Sequence, residues 1–474
     1  MKRCLAIVIV VALALPGWTV AQPVRADDSM IDAMDLDDLG LRREWTKVGN
    51  SSYDPVSMLK LLVYGYSYGW RSSRKLERAI YHNLSFIWLM GGLKPDHKTI
   101  SNFRKNNKKQ LKKALKQCTH LCIELDLIEG NCLFIDGTKI RGSASINQSK
   151  TKEKWKQQLD RIDERIDALL EVCDRIDESE TGSLVKLNKE LSCRKKRKEK
   201  IEEALERMGR ENQKRINATD PDCINFKSRQ GSHAGYNAQI VVDRKHGLIL
   251  NADVVAESND SDQFSNQIRQ ANEILESPCK RACADAGYAN VDNLKEMVDE
   301  EIDVIVPSQK QSLHNPKDEP FGKHTFQYDS EGNRYICPEG KILEYSHYSK
   351  DKNQYLYRFK KIVPCHQCRH FGICTTAKRG RAITRLANQE LKEILEARYA
   401  SEEGQEIYAR RKEKVEAPFG HIKRNLNGGA FLLRGLPSVN AEFSIFATCY
   451  NVARMITLTG GVRALIGQLN AIPS

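Results

Sequence analysis

Three acidic residues occupy places where a carboxylate can do chemistry. In "LFIDGTK", Asp136 ends an apolar run immediately before Gly137. In "ACADAGYAN", Asp285 repeats the situation, with Gly287 close behind it. The third, Glu416, lies in "YARRKEKVEAPFGHIKRN", with Tyr408, Arg411, Lys423 and Arg424 around it. Residues at the ends of strands project into the crevice where open sheets bind ligands, so two acids from neighbouring strands and one from a helix could meet at one point. Three carboxylates suit a hard octahedral ion such as Mg²⁺, which keeps positions free for water and phosphate. Two such ions about 4 Å apart can activate a water or a 3′-hydroxyl and stabilise the departing oxygen of a phosphodiester. Neither a His nor a Cys nucleophile stands in a comparable setting. Each acid also has a plain structural reading: Asp136-Gly137 as a turn pair, Asp285 as the cap of the following helix, and Glu416 as an exposed helical charge. A spacing of seven puts Glu416 and Lys423 on one helical face, provided the helix continues through Pro418.

The elements that must position these acids follow from periodicity. "CLFIDGTKI" and the two runs of "GYNAQIVVDRKHGLILNADVVA" read as three strands, the last two a hairpin turning at Lys245-His246-Gly247. A helix over about 260–275, a short strand in "RACADAG", a helix near 290–300 and the strand "DVIVP" follow. This order predicts a mixed α/β sheet whose first three strands are antiparallel. Residues 29–126 read as helical. Asp54-Pro55 starts a helix that turns Met58, Leu59, Leu61, Leu62 and Tyr66 inward, Gly69 breaks it, Ser72 opens the next, and Asp96 caps another with Ile100 and Phe103 inward. Arg71, Arg74, Lys75, Arg104 and Lys105 on these helices fit a DNA-binding module or, equally, a bundle with a solvated basic face. Within 151–217, Trp155, Leu159, Ile162 and Ile166 begin a heptad seam that breaks at "ESETGS" and resumes from Leu184, predicting an antiparallel helical hairpin inserted as a spacer. "LPSVNAEFSIFATCYNVARMITL" predicts a helix that covers the core without a catalytic role.

Cys337, Cys365, Cys368 and Cys374 fall between the second and third acids. Cys365-x-x-Cys368 is half of a zinc knuckle that Cys337 and Cys374 could complete as a tetrahedral thiolate site, and reduced structural cysteines are the alternative. Others of the fourteen cysteines, such as Cys118, Cys122, Cys173, Cys223 and Cys449, stand singly in apolar or helical stretches, which argues against a disulfide framework. A net charge of +13 favours a polyanionic partner, nucleic acid first. The opening residues read differently. Lys2 and Arg3 before an apolar run over 5–15, and Val24-Arg25-Ala26 before Asp27, look like a secretory signal. That run is shorter than the roughly 20 residues a bilayer needs. Residues 1–28 are therefore set apart as a signal-like or chimeric segment. A cytoplasmic, nucleoid location is expected ahead of export, with no membrane segment in the mature chain.

Taken in order, "FIDGTKIRGSAS", "TDPDCINFKSRQGSHAGYNAQIVVDRKHGLI", "NDSDQF", "ADAGYAN" and "YARRKEKVEAPFGHIKRN" resemble the DDE transposases of bacterial insertion sequences. The likeness is to the group with a helical N-terminal domain and a Cys-bearing insert before the catalytic Glu, and it runs from about residue 29 to the C-terminus. It implies an α/β, ribonuclease H-like core made of 127–150, 218–308 and 391–474, with a helical DNA-binding domain over 29–126 and inserts over 151–217 and 309–390. On the resemblance, Asp136, Asp285 and Glu416 are the catalytic triad for two Mg²⁺ or Mn²⁺ ions, and the Cys-bearing insert is compatible with Zn²⁺. Tyr408, Arg411, Glu416 and Lys423 correspond to a Tyr, Arg, Glu, Lys signature, although the interval from Arg411 to Glu416 is one residue longer than the commonest form. On the same resemblance Tyr408, Arg411, Lys423 and Arg424 contact DNA, Arg411 through a phosphate and Lys423 near the cleaved bond. The implied activity is binding of double-stranded element ends, cleavage, and transfer of the 3′ ends to target DNA by a homo-oligomer. A replaced N-terminus leaves the alternative of a catalytically impaired DNA-binding remnant.

Overall fold

A computed structural model describes residues 22–41, 53–179, 184–313, 320–360 and 363–472. The apolar run over 5–15 and most of the break at 178–183 lie outside the described residues. The chain forms two units, the first from residues up to Asp260 with Asn266–Ala282 and Ala409–Ser474, the second from Ser261–Ser265 and Cys283–Tyr408.

The first unit opens with helices α1 (Gln22–Asp32), α2 (Leu36–Leu39), α3 (Pro55–Ser67), α4 (Ser73–His82), α5 (Leu84–Leu89), α6 (His97–Asn106) and α7 (Lys108–Glu124). Their starts follow capping chemistry: Asp54 accepts the Ser57 N–H at 3.1 Å with Pro55 in the first turn, and Asp96 accepts the Thr99 N–H at 2.7 Å. Helix α3 is buried nearly all round, so it is a central helix rather than an amphipathic surface one. The boundary expected at residue 29 falls inside α1, whose Val24, Ala26, Met30 and Ile31 are core residues. Lys60 of α3 bridges Asp28 and Asp32 on the same helix at 2.7 and 2.6 Å.

Asp27 is buried beside these apolar residues, and burial, with the Asp28 charge adding to it, pushes its carboxyl up to about 8. The folded chain therefore holds this proton far more tightly than the unfolded chain, whose carboxyl titrates near 3.9. The contribution is full at low pH and is lost as pH rises from about 4 to about 8. Asp27→Asn should leave stability at pH 3 nearly unchanged and raise it at pH 9 by about 3 kcal/mol or more, as read from urea unfolding. An unaltered pH slope in the variant would rule this out.

Strand β1 (Cys132–Arg141) is followed by the two-residue strands β2 (Ser149–Lys150) and β3 (Ile216–Asn217), which frame the long helices α8 (Lys152–Ser179) and α9 (Leu184–Arg210). The predicted seam packs as a helical hairpin around Trp155, Ile162, Ile166, Ile201, Ala204 and Met208. Strands β4 (Ile224–Ser228), β5 (Gly231–Asp243) and β6 (Ile249–Val255) then build the sheet. The long β5 pairs antiparallel with β1 along one edge and with β4 and then β6 along the other. The β5–β6 turn is the hairpin read from the sequence, with Gly247 at φ 68°. Helix α10 (Phe264–Leu275) and strand β7 (Arg281–Cys283) follow, and β7 extends the sheet beyond β1.

In the second unit, helix α11 (Val291–Asp299) leads to β8 (Asp303–Ile305), and the Ala284 N–H donates to the Ile305 carbonyl at 3.3 Å. An antiparallel five-stranded sheet follows, of β9 (Gln327–Asp329), β10 (Arg334–Ile336), β11 (Ile342–Ser349), β12 (Gln354–Arg358) and β13 (Ala382–Leu386), with α12 (Val363–His366) before its last strand. Its own small core holds Phe326, Tyr335, Leu343, Tyr357, Phe359 and Ile383. Helix α13 (Gln389–Ala400) closes the unit, its Arg398 held by Asp303 at 2.7 Å.

Helix α14 (Glu402–Arg424) returns the chain to the first unit and continues through Pro418. Helix α15 (Leu436–Leu458) packs on α7 and β6, and α16 (Val462–Leu469) packs on α1. Inside, Glu442 of α15 is 0% exposed, pairs with Arg71 at 3.1 Å, and accepts the Leu432 and Leu433 N–H groups. Arg104 donates to Tyr66 Oη at 3.2 Å and to the Arg71 carbonyl at 2.8 Å. Of the five basic residues expected on a DNA-facing surface, Arg71 and Arg104 are thus buried structural groups, and only Arg74, Lys75 and Lys105 are exposed. Among the described residues, no helix is long and apolar enough to cross a membrane, and the cysteines are free thiols.

Candidate active site and basic groove

Asp136 stands in the middle of β1 and not at its end, because Thr138 and Ile140 go on pairing with Ala238 and Tyr236 of β5. The turn reading of Asp136-Gly137 is therefore set aside. What changes at Asp136 is burial: the strand is buried from Cys132 to Ile135 and half-buried from Asp136 to Lys139. The carboxylate emerges where the strand leaves the core. A Cβ at Gly137 would stand 2.4 Å from Gln239 Nε2 and 2.9 Å from Asp260 Oδ1, so a larger residue would push these side-chain ends aside.

Helix α14 supplies cations to this carboxylate. Arg411 Nη1 lies 3.5 Å from Asp136 Oδ1, with the two side chains only 12% and 20% exposed. Lys423 donates to Thr138 Oγ1 at 2.6 Å and lies over the Phe419 ring. Burial pulls the Lys423 ammonium below its ordinary value, and the Asp136 charge opposes that pull. Both residues belong to the signature read from the sequence.

Glu416 shares α14 with these cations and is 65% exposed, 4.0 Å from Lys412. Arg424 is exposed at the end of the helix. In the second unit, half-buried Asp285 accepts the Gly287 N–H at 2.8 Å and caps the short turn Ala286–Tyr288, while Asn290 caps α11. Its capping role is thus real but belongs to that turn, one element earlier than expected. Tyr408 packs edge-on against Tyr399 at 5.0 Å. Among the described residues, no three His, Cys, Asp or Glu side chains are gathered as a metal-ligand set.

Sequence reasoning passed over one more carboxylate. Asp260 accepts from Asn237 at 2.6 Å and from Gln239 at 2.7 Å, and lies 3.5 Å from Lys139 Nζ. Burial draws the Lys139 ammonium down, against the Asp260 charge. The available signal was its place in "NDSDQF", a motif noted without a residue being assigned.

A groove of ≈ 1260 Å³ in the first unit is lined by Lys139, Arg141, Phe226, Arg229 and Lys423, with buried Arg71 at its wall. Arg141 is hydrogen-bonded to Gln230. Its carbonyl accepts the Phe431 N–H at 2.8 Å, which ties the end of β1 to the segment after α14. Four cations, Lys139, Arg141, Arg229 and Lys423, around one open channel with a half-buried aromatic face suit a phosphodiester backbone. Lys139, Arg141 and Arg229 were missed because each reads in sequence as an ordinary strand or loop charge.

The comparisons with known proteins bear on this arrangement from two stretches. Residues 336–456, which include Glu416 and Lys423, match the family "Transposase DDE domain". Residues 20–106, from before α1 to the end of α6, match "Transposase domain (DUF772)". Asp136 and Asp285 lie outside both matches. No curated protein matches the chain. The cryo-EM structure of a piggyBac transposase synaptic complex with hairpin DNA is similar to 96% of this chain and 80% of that one, at 9% identity and a TM-score of 0.32, a likeness too slight to place any residue. Two transposase family models thus match separate stretches of one sequence, which is consistent with a DDE transposase of an insertion element, an enzyme acting on DNA.

Proposed function

We propose that this transposase binds the double-stranded ends of its element, cuts the 3′ ends and joins them to target DNA, working as an oligomer of at least two chains so that two ends are held together. The reading treats the sheet of β1, β5 and β6 with α14 as a ribonuclease H-like core. The observation that carries it is Asp136 at the point where β1 leaves the core, met by Arg411 and Lys423 and adjoining a basic groove. Three hard carboxylate donors fit Mg²⁺ or Mn²⁺, and Asp136, Asp285 and Glu416 are the residues that would hold two such ions. When bound, the ions activate the attacking oxygen and stabilise the departing 3′ oxygen.

The remaining work falls to the chain's own groups. Lys423, fixed by Thr138 and lowered by burial, presents a partly desolvated cation that holds a phosphate close to Asp136. Arg411 orients the Asp136 carboxylate, as a guanidinium does better than an ammonium. Lys139, Arg141 and Arg229 neutralise phosphates farther along the groove, and Tyr408 and Arg424 are assigned to flanking DNA.

Arg141→Ala/Arg229→Ala together should weaken binding of DNA carrying the flanking inverted repeats and flatten the plot of log affinity against log salt by about 2, the value for two lost phosphate contacts. A salt slope equal to that of the parent chain, measured by fluorescence anisotropy, would remove DNA from this groove.

A further inference from the structure

Cys337, Cys365, Cys368 and Cys374 come from two separated stretches of the second unit, yet all four line one hollow of ≈ 400 Å³. Two of the sulfurs accept backbone N–H groups. Cys337 opens a tight turn in which the Gly340 N–H donates to the Cys337 carbonyl at 2.8 Å and the Lys341 N–H to Cys337 Sγ at 3.3 Å. Cys365 Sγ accepts the Arg381 N–H at 3.3 Å, and the Cys368 N–H returns to the Cys365 carbonyl at 3.1 Å. Amide N–H groups aimed at sulfur are the kind of outer contact that orients a metal-binding cysteine. Gly380, at φ +74°, lets the loop pass so close that a Cβ would stand 3.2 Å from Cys365 Sγ. Arg381 then pins the loop by donating to the Cys374 and Phe321 carbonyls at 3.2 and 2.9 Å.

Reduced cysteines used as apolar filler would be buried and indifferent to backbone donors. Here only Cys365 is buried, and the other three are half-exposed at the rim of the hollow. His370, which also lines the hollow, is engaged with Glu339 at 3.1 Å. The sheet below has a core of seven buried residues, Cys365 among them, which is small for a free-standing module. Modules of that size commonly gain stability from a structural metal.

We propose that Cys337, Cys365, Cys368 and Cys374 bind one Zn²⁺ as four thiolates, clamping the 337–341 turn and the 365–381 loop onto the β9–β13 sheet. Four soft thiolate donors select Zn²⁺ over the hard ions of the carboxylate site. No three of the sulfurs stand at ligating distance in this structure, so binding draws the turn and the loop inward. The site is structural and does not depend on the catalytic reading.

The test uses the full chain purified under reducing conditions. Elemental analysis should give one zinc per chain. Cobalt substitution should give thiolate-to-cobalt charge-transfer absorption with the d–d bands of a tetrahedral site. Cys368→Ser/Cys374→Ser should lose the metal, and Cys173→Ser/Cys223→Ser should keep it. Because the first pair of substitutions can also unfold the module, thiol mapping is run on the unaltered chain: alkylation should spare these four cysteines until a chelator is added and label them afterwards. A metal-free chain whose four thiols are already alkylated, disulfides among them in the purified protein, or full zinc retained by Cys368→Ser/Cys374→Ser would each overturn the proposal.

Discussion

Asp136→Asn is expected to lower single-turnover strand cleavage by at least about 10³-fold, the equivalent of the several kcal/mol of charge stabilisation that bound metal contributes to a phosphoryl-transfer transition state. The substitution keeps the shape of the side chain and removes only its charge. DNA affinity should be unchanged or slightly higher, because the Arg411 and Lys423 cations at that carboxylate then go unneutralised. Folding should change little, since Asp136 is half-buried, accepts the adjoining Gly137 N–H and forms an ion pair with Arg411. Nicking and anisotropy measured on one preparation separate the two effects. Cleavage within tenfold of the parent would remove Asp136 from the chemistry, and loss of binding together with cleavage would make its role structural.

The second large effect lies away from the carboxylates. Glu442→Ala should cost about 3–5 kcal/mol of stability, because it strands the Arg71 guanidinium, 7% exposed, without its counter-charge. It also removes the acceptor of the Leu432 and Leu433 amides. The same Arg71 donates to the Ala430 carbonyl at 2.8 Å, and Ala430 lines the groove. Loss of the pair should therefore loosen the groove wall as well as the fold. Replacing both partners with apolar residues of similar volume, Arg71→Met with Glu442→Leu, should recover much of the loss, as paired replacement does for other buried ion pairs. Urea unfolding of the parent and these two variants decides it. A Glu442→Ala chain within about 1 kcal/mol of the parent would show that the charge pair is not what holds this segment.

Local chemistry made some of the fold legible in advance. Helices α3 and α6 begin at the Asp caps that announce them, and the seams of α8 and α9 repeat at helical spacing over lengths that admit no other reading. The order and antiparallel pairing of β1, β5 and β6 were legible for the same reason, being long apolar runs broken by one hairpin turn. What escaped depended on tertiary context. Arg71 looks like a surface cation until Glu442, hundreds of residues away, supplies its buried partner, and Arg104 until Tyr66 and the Arg71 carbonyl take its donors. Asp27 sits in a stretch that resembles a cleavage site, and nothing local says that its helix packs into the core. The strands of the second unit are short and rich in tyrosine and charge, so no period of two stands out.

At the site, the types of Asp136, Arg411 and Lys423 were readable from sequence, but the mid-strand position of Asp136 was not. A strand that continues past an acid and a glycine does so only because β5 keeps pairing with it. Asp260 was invisible as a partner of Lys139 for a similar reason: the contact spans 121 residues.

The most direct measurement is anomalous scattering from Mn²⁺ in crystals of the chain bound to uncleaved DNA from its own element ends. Two manganese peaks bound by the oxygens of Asp136, Asp285 and Glu416, next to the scissile phosphate, are the expected result. A cleavage-competent complex whose manganese rests on other side chains, with any of these three carboxylates turned away from it, would contradict the assignment.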